Sequence, residues 1–120
     1  SLEWPVYRPG RRVGIGLLRL HPGDVVLDVG CGTGLNFALL QASVGANGTI
    51  IGVDLSGSML ARAYARVQRH GWRNVSLVQA NAGTADLAAI ERTSRDRKKP
   101  ISSGIPRTAF LQRRSSQGFP

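Results

Sequence analysis

At 120 residues the chain holds at most one domain, with room for a small core. Its net charge of +9 is unevenly placed: residues 1–89 carry eight basic and five acidic side chains, residues 90–120 eight and two, so a nucleic-acid reading rests mainly on the C-terminal segment. No apolar run approaches the roughly 20 residues of a membrane span, Ser1-Leu2-Glu3-Trp4-Pro5 lacks the basic-then-apolar order of a signal peptide, and the single cysteine, Cys31, excludes an internal disulfide and fits a reducing, cytoplasmic compartment.

Trp4, Pro5 and Tyr7 show no periodicity and read as residues that dock on the core, the alternative being an aromatic that closes over a bound ligand. Arg11 to Leu20 reads as a helix with Val13, Leu17 and Leu20 on one face. Gly14 and Gly16 each weaken that helix by about 1 kcal/mol. His21-Pro22-Gly23-Asp24 is a turn, because proline presets φ and glycine accepts positive φ. His21 is read as structural.

Val25-Val26-Leu27-Asp28-Val29 then breaks into alternating glycines at Gly30, Gly32 and Gly34. The pattern predicts a buried parallel strand running into a tight turn. Leu35, Phe37, Ala38, Leu39, Leu40 and Ala42 suit a helix packed on the sheet, ending near Gly45. Open α/β sheets bind ligands at such a turn, where backbone N–H groups and the helix dipole face the crevice. The spacing is G-x-G-x-G; the dinucleotide fingerprint needs its third glycine where Leu35 stands, and no Gly-Lys-Ser/Thr of a phosphate loop is present. Asp28 would repel a pyrophosphate and attract an ammonium group. The favoured ligand is therefore a nucleoside carrying a cation.

Ala46-Asn47-Gly48 is loop, and the β-branched run Thr49-Ile50-Ile51-Gly52-Val53 is the second strand. Asp54 at its end lies 24 positions after Gly30, near the spacing at which an acidic residue meets ribose hydroxyls. Ser56 or Ser58 caps the next helix. Met59, Ala63 and Val67 form its apolar stripe, with Leu60 and Tyr64 beside it. Arg62, Arg66, Arg69 and Arg73 form a ridge read as a solvated face, and Gly71 suits the position just past the helix end. Val75 to Ala80 is the third strand, followed by Asn81-Ala82. Beyond Ala89 the periodicity stops, and Ser, Arg, Gly and Pro dominate; disorder is predicted for residues 90–120.

Asp28-Val29-Gly30-Cys31-Gly32-Thr33-Gly34 resembles the first motif of class I S-adenosylmethionine-dependent methyltransferases. Val53-Asp54-Leu55-Ser56, with Met59, resembles their second motif, and the likeness covers roughly residues 12–88. The resemblance implies an α/β, Rossmann-like methyltransferase fold whose full sheet runs 3-2-1-4-5-7-6. This chain is expected to supply only its N-terminal half: strands 3-2-1 with flanking helices, then a disordered C-terminal tail. The expected organisation is a helical segment (1–23), an S-adenosylmethionine-binding half-domain (24–89) and a basic, low-complexity tail (90–120). The resemblance further implies that Asp28 and the turn Gly30, Cys31, Gly32, Thr33 and Gly34 hold the methionine part. Asp54 would hold the ribose, and Leu55, Met59, Asn81 and Ala82 the adenine. Ser56 belongs to the second motif and is counted with the cofactor site. Asn81 stands where the family has an acidic residue; its carbonyl oxygen can accept from the adenine amino group without charge, and Asp86 is a nearby substitute. No catalytic residue is assigned, because Cys31 occupies a position where the family has small residues. No metal site is expected.

No apolar run follows near residue 90 to supply strand 4. Strand 1 would then be an open edge, the chain a truncated or frame-shifted methyltransferase, and self-association through that edge an expectation. The implied activity is methyl transfer from S-adenosyl-L-methionine to a small-molecule acceptor, as in ubiquinone-type enzymes. The alternatives are a catalytically inactive nucleoside-binding fragment and a nucleic-acid binder acting through the basic tail. The tail offers only Phe110 and Phe119 as interleaved aromatics.

Overall fold

In a computed structural model that describes residues 3–4, 19–81, 83–84, 86–96 and 108–113, the chain forms five strands and three helices among the described residues. They are β1 (Glu3–Trp4), β2 (Val25–Val29), α1 (Phe37–Val44), β3 (Thr49–Asp54), α2 (Gly57–His70), β4 (Val75–Gln79), α3 (Leu87–Asp96) and β5 (Thr108–Arg113). The strands make one sheet in the order β1-β5-β2-β3-β4, and every pairing is parallel.

β2 is buried along its whole length, which is why it reads as a continuous apolar run rather than an alternating one. Val26 and Ile50 face α1 and α2, where Phe37, Leu40, Val44, Leu60, Ala63 and Val67 complete one core cluster. Val25, Leu27, Val29, Ile51 and Val53 face the other side, against which Leu87 and Ile90 of α3 pack. The layering follows from connection handedness. The path β2 to β3 to β4 moves one way along the sheet with α1 and α2 on one face, and the return through α3 to β5 covers the other. Strand order therefore reverses at β2, and the crevice at the carboxyl ends of β2 and β5 is the place where such sheets bind ligands.

Local signals hold at the C-terminal end of α1 and at both ends of α2. Gly45 follows α1 at φ +71°, with its N–H on the Gln41 carbonyl. Ser56 caps α2 through Oγ, which accepts from Met59 N, and Gly71 closes it in the left-handed conformation. The His21–Asp24 turn is closed by Asp24 N on His21 O, while His21 N donates to the Asp24 carboxylate. Of the helix expected over Arg11–Leu20, only Arg19 and Leu20 fall within the described residues, and neither is helical; Arg19 has φ +52°.

The region after Ala89 departs from expectation. α3 continues to Asp96, and Thr108–Arg113 pairs in parallel with β2 from Val25↔Thr108 to Val29↔Gln112. β2 is thus an internal strand, and the open edge on which self-association was expected is covered by β5. A strand buried on both faces must satisfy its backbone N–H and C=O groups on both sides. Thr108-Ala109-Phe110-Leu111 is the stretch of the segment with the composition to do so. The disorder expected for residues 97–107 and 114–120 lies outside the described residues.

Candidate functional site

The turn after β2 is built on backbone geometry that side chains resist. Gly30, Gly32 and Gly34 have φ of +74°, +58° and +82°. Gly30 N and Cys31 N both donate to Val53 O, at 2.6 and 3.0 Å, which hooks the turn onto the end of β3. Gly34 N donates to Cys31 O, and Phe37 N to Gly34 O, leading the chain into α1. Cys31 is buried, with its sulfur in the space that Gly52 leaves open; a Cβ on Gly52 would stand 2.9 Å from it. That burial agrees with assigning Cys31 no nucleophilic role.

Asp54 joins the two motifs. Its Oδ2 accepts from Gly32 N at 2.8 Å and its Oδ1 from Ser56 N at 2.9 Å. The glycine turn, 22 residues before Asp54 in sequence, and the start of α2 are therefore fastened to one half-buried carboxylate at the carboxyl ends of adjacent strands. Each oxygen keeps capacity for a further donor. Beside it, Leu55 is 64% exposed and Met59 41%. Apolar side chains this exposed next to a fixed carboxylate suit the face of a flat ring.

The turn also presents unused polar groups. Among the described residues, the amides of Thr33, Leu35 and Asn36 donate to nothing, and the buried Asn36 Oδ1 accepts from nothing. Free donors and a free acceptor side by side suit an amino-acid group carrying both charges. The residues thus fit the methionine, ribose and adenine parts of S-adenosylmethionine.

Other expected residues are placed less directly. Asp28 has no exposed surface; it lies within β2, two residues before the turn. Asn81 is exposed past β4, but its Oδ1 already accepts from Gly83 N at 2.8 Å, so only its second lone pair can meet an adenine amino group. Asp86 is exposed and its carboxylate accepts from Ala89 N in the first turn of α3. Ala82 lies outside the described residues. Among the described residues no group of three or more His, Cys, Asp or Glu is placed to hold a metal ion, and no helix is long and apolar enough to cross a membrane.

Gln79, read only as part of the third strand, and Arg66, expected on the solvated arginine ridge, take part in the frame. Gln79 Nε2 donates to Leu55 O at 3.1 Å and supports the segment after Asp54. Arg66 Nε donates to Thr33 O at 2.9 Å, from α2 to the glycine turn. Spacing could not single Arg66 out, since it shares its periodicity with Arg62 and Arg69. An open groove of about 800 Å³ between α2 and β4, lined by Tyr64, Gln68, Trp72 and Leu77, contains none of the motif residues.

Comparison with known proteins places this geometry. A family model described as a methyltransferase domain matches residues 26–94. The demethylmenaquinone methyltransferase of Alkalihalophilus pseudofirmus is 40% identical over 65 residues, which is 54% of this chain and 28% of that protein. A 23S rRNA uracil C5-methyltransferase of Acinetobacter baumannii is 46% identical over 72 residues, 59% of this chain and 14% of that one. The solved structure of coclaurine N-methyltransferase, bound to N-methylheliamine and S-adenosylhomocysteine, superposes with a TM-score of 0.58 at 25% identity, over 65% of this chain and 23% of that one. The chain spans less than a third of the length of each of these proteins. Glycine turn, tethered carboxylate, parallel sheet and matched family model agree: the chain belongs to the class I S-adenosylmethionine-dependent methyltransferases.

Proposed function

We propose that this chain binds S-adenosylmethionine at the carboxyl ends of β2 and β3 and serves methyl transfer to a small-molecule acceptor. The observation that carries the reading is the Asp54 carboxylate held by the Gly32 and Ser56 amides. With its orientation fixed, Asp54 receives both hydroxyls of a ribose without reorganising. Leu55 and Met59 cover the adenine ring, and Asn81 Oδ1, with Ala82 by resemblance, meets its amino edge. The Gly30–Gly34 turn takes the carboxylate of the methionine part through the Thr33 amide, with those of Leu35 and Asn36 beside it, while Cys31 and Gly32, whose amides donate to Val53 O and Asp54 Oδ2, shape the turn. Asp28 contributes negative charge toward its ammonium group from within the strand. Ser56 acts through its amide and cap, which hold Asp54 and start α2.

When bound, the cofactor supplies a sulfonium methyl group, and the protein's part is then mainly to position the acceptor against it. A small-molecule acceptor is supported by the relative named for demethylmenaquinone. The relative named for 23S rRNA supplies the competing class, so an acceptor panel should include RNA. A cytoplasmic location fits a chain whose one cysteine, Cys31, is a buried thiol.

The ribose assignment is tested by calorimetric titration with adenosine and with 2′-deoxyadenosine. Loss of one charge-assisted hydrogen bond, about 1.5–3 kcal/mol, predicts a preference for adenosine of at least tenfold. Asp54→Asn, checked for folding by circular dichroism, should narrow that preference. Equal binding of the two nucleosides by the wild-type chain would overturn the assignment.

A further inference from the structure

The glycine turn has a mechanical problem. Gly32 and Gly34 let the backbone adopt the conformation the site needs, and they also let it leave that conformation easily. The peptide between Thr33 and Gly34 is pinned at both ends. Its N–H, on Gly34, donates to Cys31 O at 3.0 Å, and its carbonyl, on Thr33, accepts from Arg66 Nε at 2.9 Å. Because a peptide unit is planar, two bonds on opposite sides fix its rotation. Arg66 is half-buried, whereas Arg62, Arg69 and Arg73 are exposed, so this one arginine of the ridge is drawn in toward the turn.

We infer that Arg66 is a positioning residue for the amino-acid end of the cofactor. It holds the Thr33–Gly34 peptide and thereby keeps the amides of Thr33, Leu35 and Asn36 in one arrangement before the ligand arrives. The ordering of the turn is then met on folding and not on binding, which raises affinity. The inference rests on the cofactor reading above and adds to it a residue outside both motifs, on the helix after the second. Arg66 matters to the part of the ligand beyond the nucleoside and not to the nucleoside itself, whose ribose acceptor Asp54 is held by Gly32 N and Ser56 N, neither of which lies in the peptide that Arg66 pins.

The test compares the full chain with Arg66→Met, which keeps the length without the donor, and with Arg66→Lys, which keeps one. Each is titrated with S-adenosylhomocysteine and with adenosine. Arg66→Met should weaken S-adenosylhomocysteine about tenfold, or ~1.4 kcal/mol, and adenosine less than about twofold, with Arg66→Lys in between. In the ligand-free protein, amide hydrogen exchange at Gly34 should be faster in Arg66→Met. Unchanged binding of S-adenosylhomocysteine by Arg66→Met overturns the inference alone. Equal weakening of both ligands overturns it too, because it marks a general structural role. A folded wild-type chain that binds neither ligand overturns the cofactor reading and the inference with it.

Discussion

Replacing Gly34 by alanine tests whether the turn is built as described, because two separable costs meet there. The first is conformational. At φ +82° a residue with a Cβ is strained, by about 1–2 kcal/mol. The second is steric. A Cβ on Gly34 would stand 2.6 Å from Phe37 Cε2 and 2.7 Å from Cδ2, well inside contact distance. Phe37 is fully buried between Leu40, Val26 and Ile50 and packs edge-on against Trp72 at 6.5 Å, so its ring has little room to yield. Overpacking of this kind costs about 1–3 kcal/mol. Together the terms predict a loss of about 2–5 kcal/mol for Gly34→Ala. Gly71 supplies the control: it has φ +69° with nothing within 4 Å of its would-be Cβ, so Gly71→Ala carries the conformational cost alone. Urea denaturation followed by circular dichroism measures both. Gly34→Ala should lose at least about 1 kcal/mol more than Gly71→Ala, and Phe37→Leu in the same chain should recover part of the difference. Equal losses for the two alanines would refute the packing of Phe37 under the turn.

Asn74 Nδ2 donates to Gly45 O and Gly48 O and its side chain pairs with Gln41; Asn74→Ala should cost about 2–3 kcal/mol in urea denaturation and leave adenosine affinity unchanged. Ser56→Ala removes the cap of α2 and should cost about 1 kcal/mol by the same measurement. The double change Leu55→Ser, Met59→Ser, at two exposed side chains, should alter stability by less than about 0.5 kcal/mol while weakening adenosine about tenfold in calorimetry. Removing residues 97–120 deletes β5 and returns β2 to the sheet edge, so light scattering should show aggregation that the full chain does not.

The cofactor half of the fold is legible because its signals are local. β2 announces itself by five residues buried on both faces, the turn by three glycines that all prove to need positive φ, and α2 by Ser56 and Gly71 at its ends. Asp54 is legible by its distance from Gly30. Its role as the tether between the two turns is not, since the hydrogen bond from Gly32 N exists only once β2 and β3 lie side by side, whereas that from Ser56 N is local. Arg66 is hidden for the same reason: its partner is 33 residues away, and its neighbours on the helix share its chemistry. β5 is not legible because the charged, Ser-rich segment around it carries no periodic apolar pattern. The five residues that pair with β2 gain their strand from an unmet edge in the core, a demand that no local window contains. Asn81 shows the reverse limit, where the residue was read and its acceptor oxygen is already engaged by Gly83 N.

Calorimetric titration of the full chain with S-adenosylhomocysteine, beside Asp54→Ala, tests the central claim most directly. Saturable one-to-one binding is expected of the wild-type chain, and its loss in a variant that still folds. A folded wild-type chain that takes up no heat, or an Asp54→Ala variant that binds as tightly as wild type, would contradict the assignment of this crevice to the cofactor.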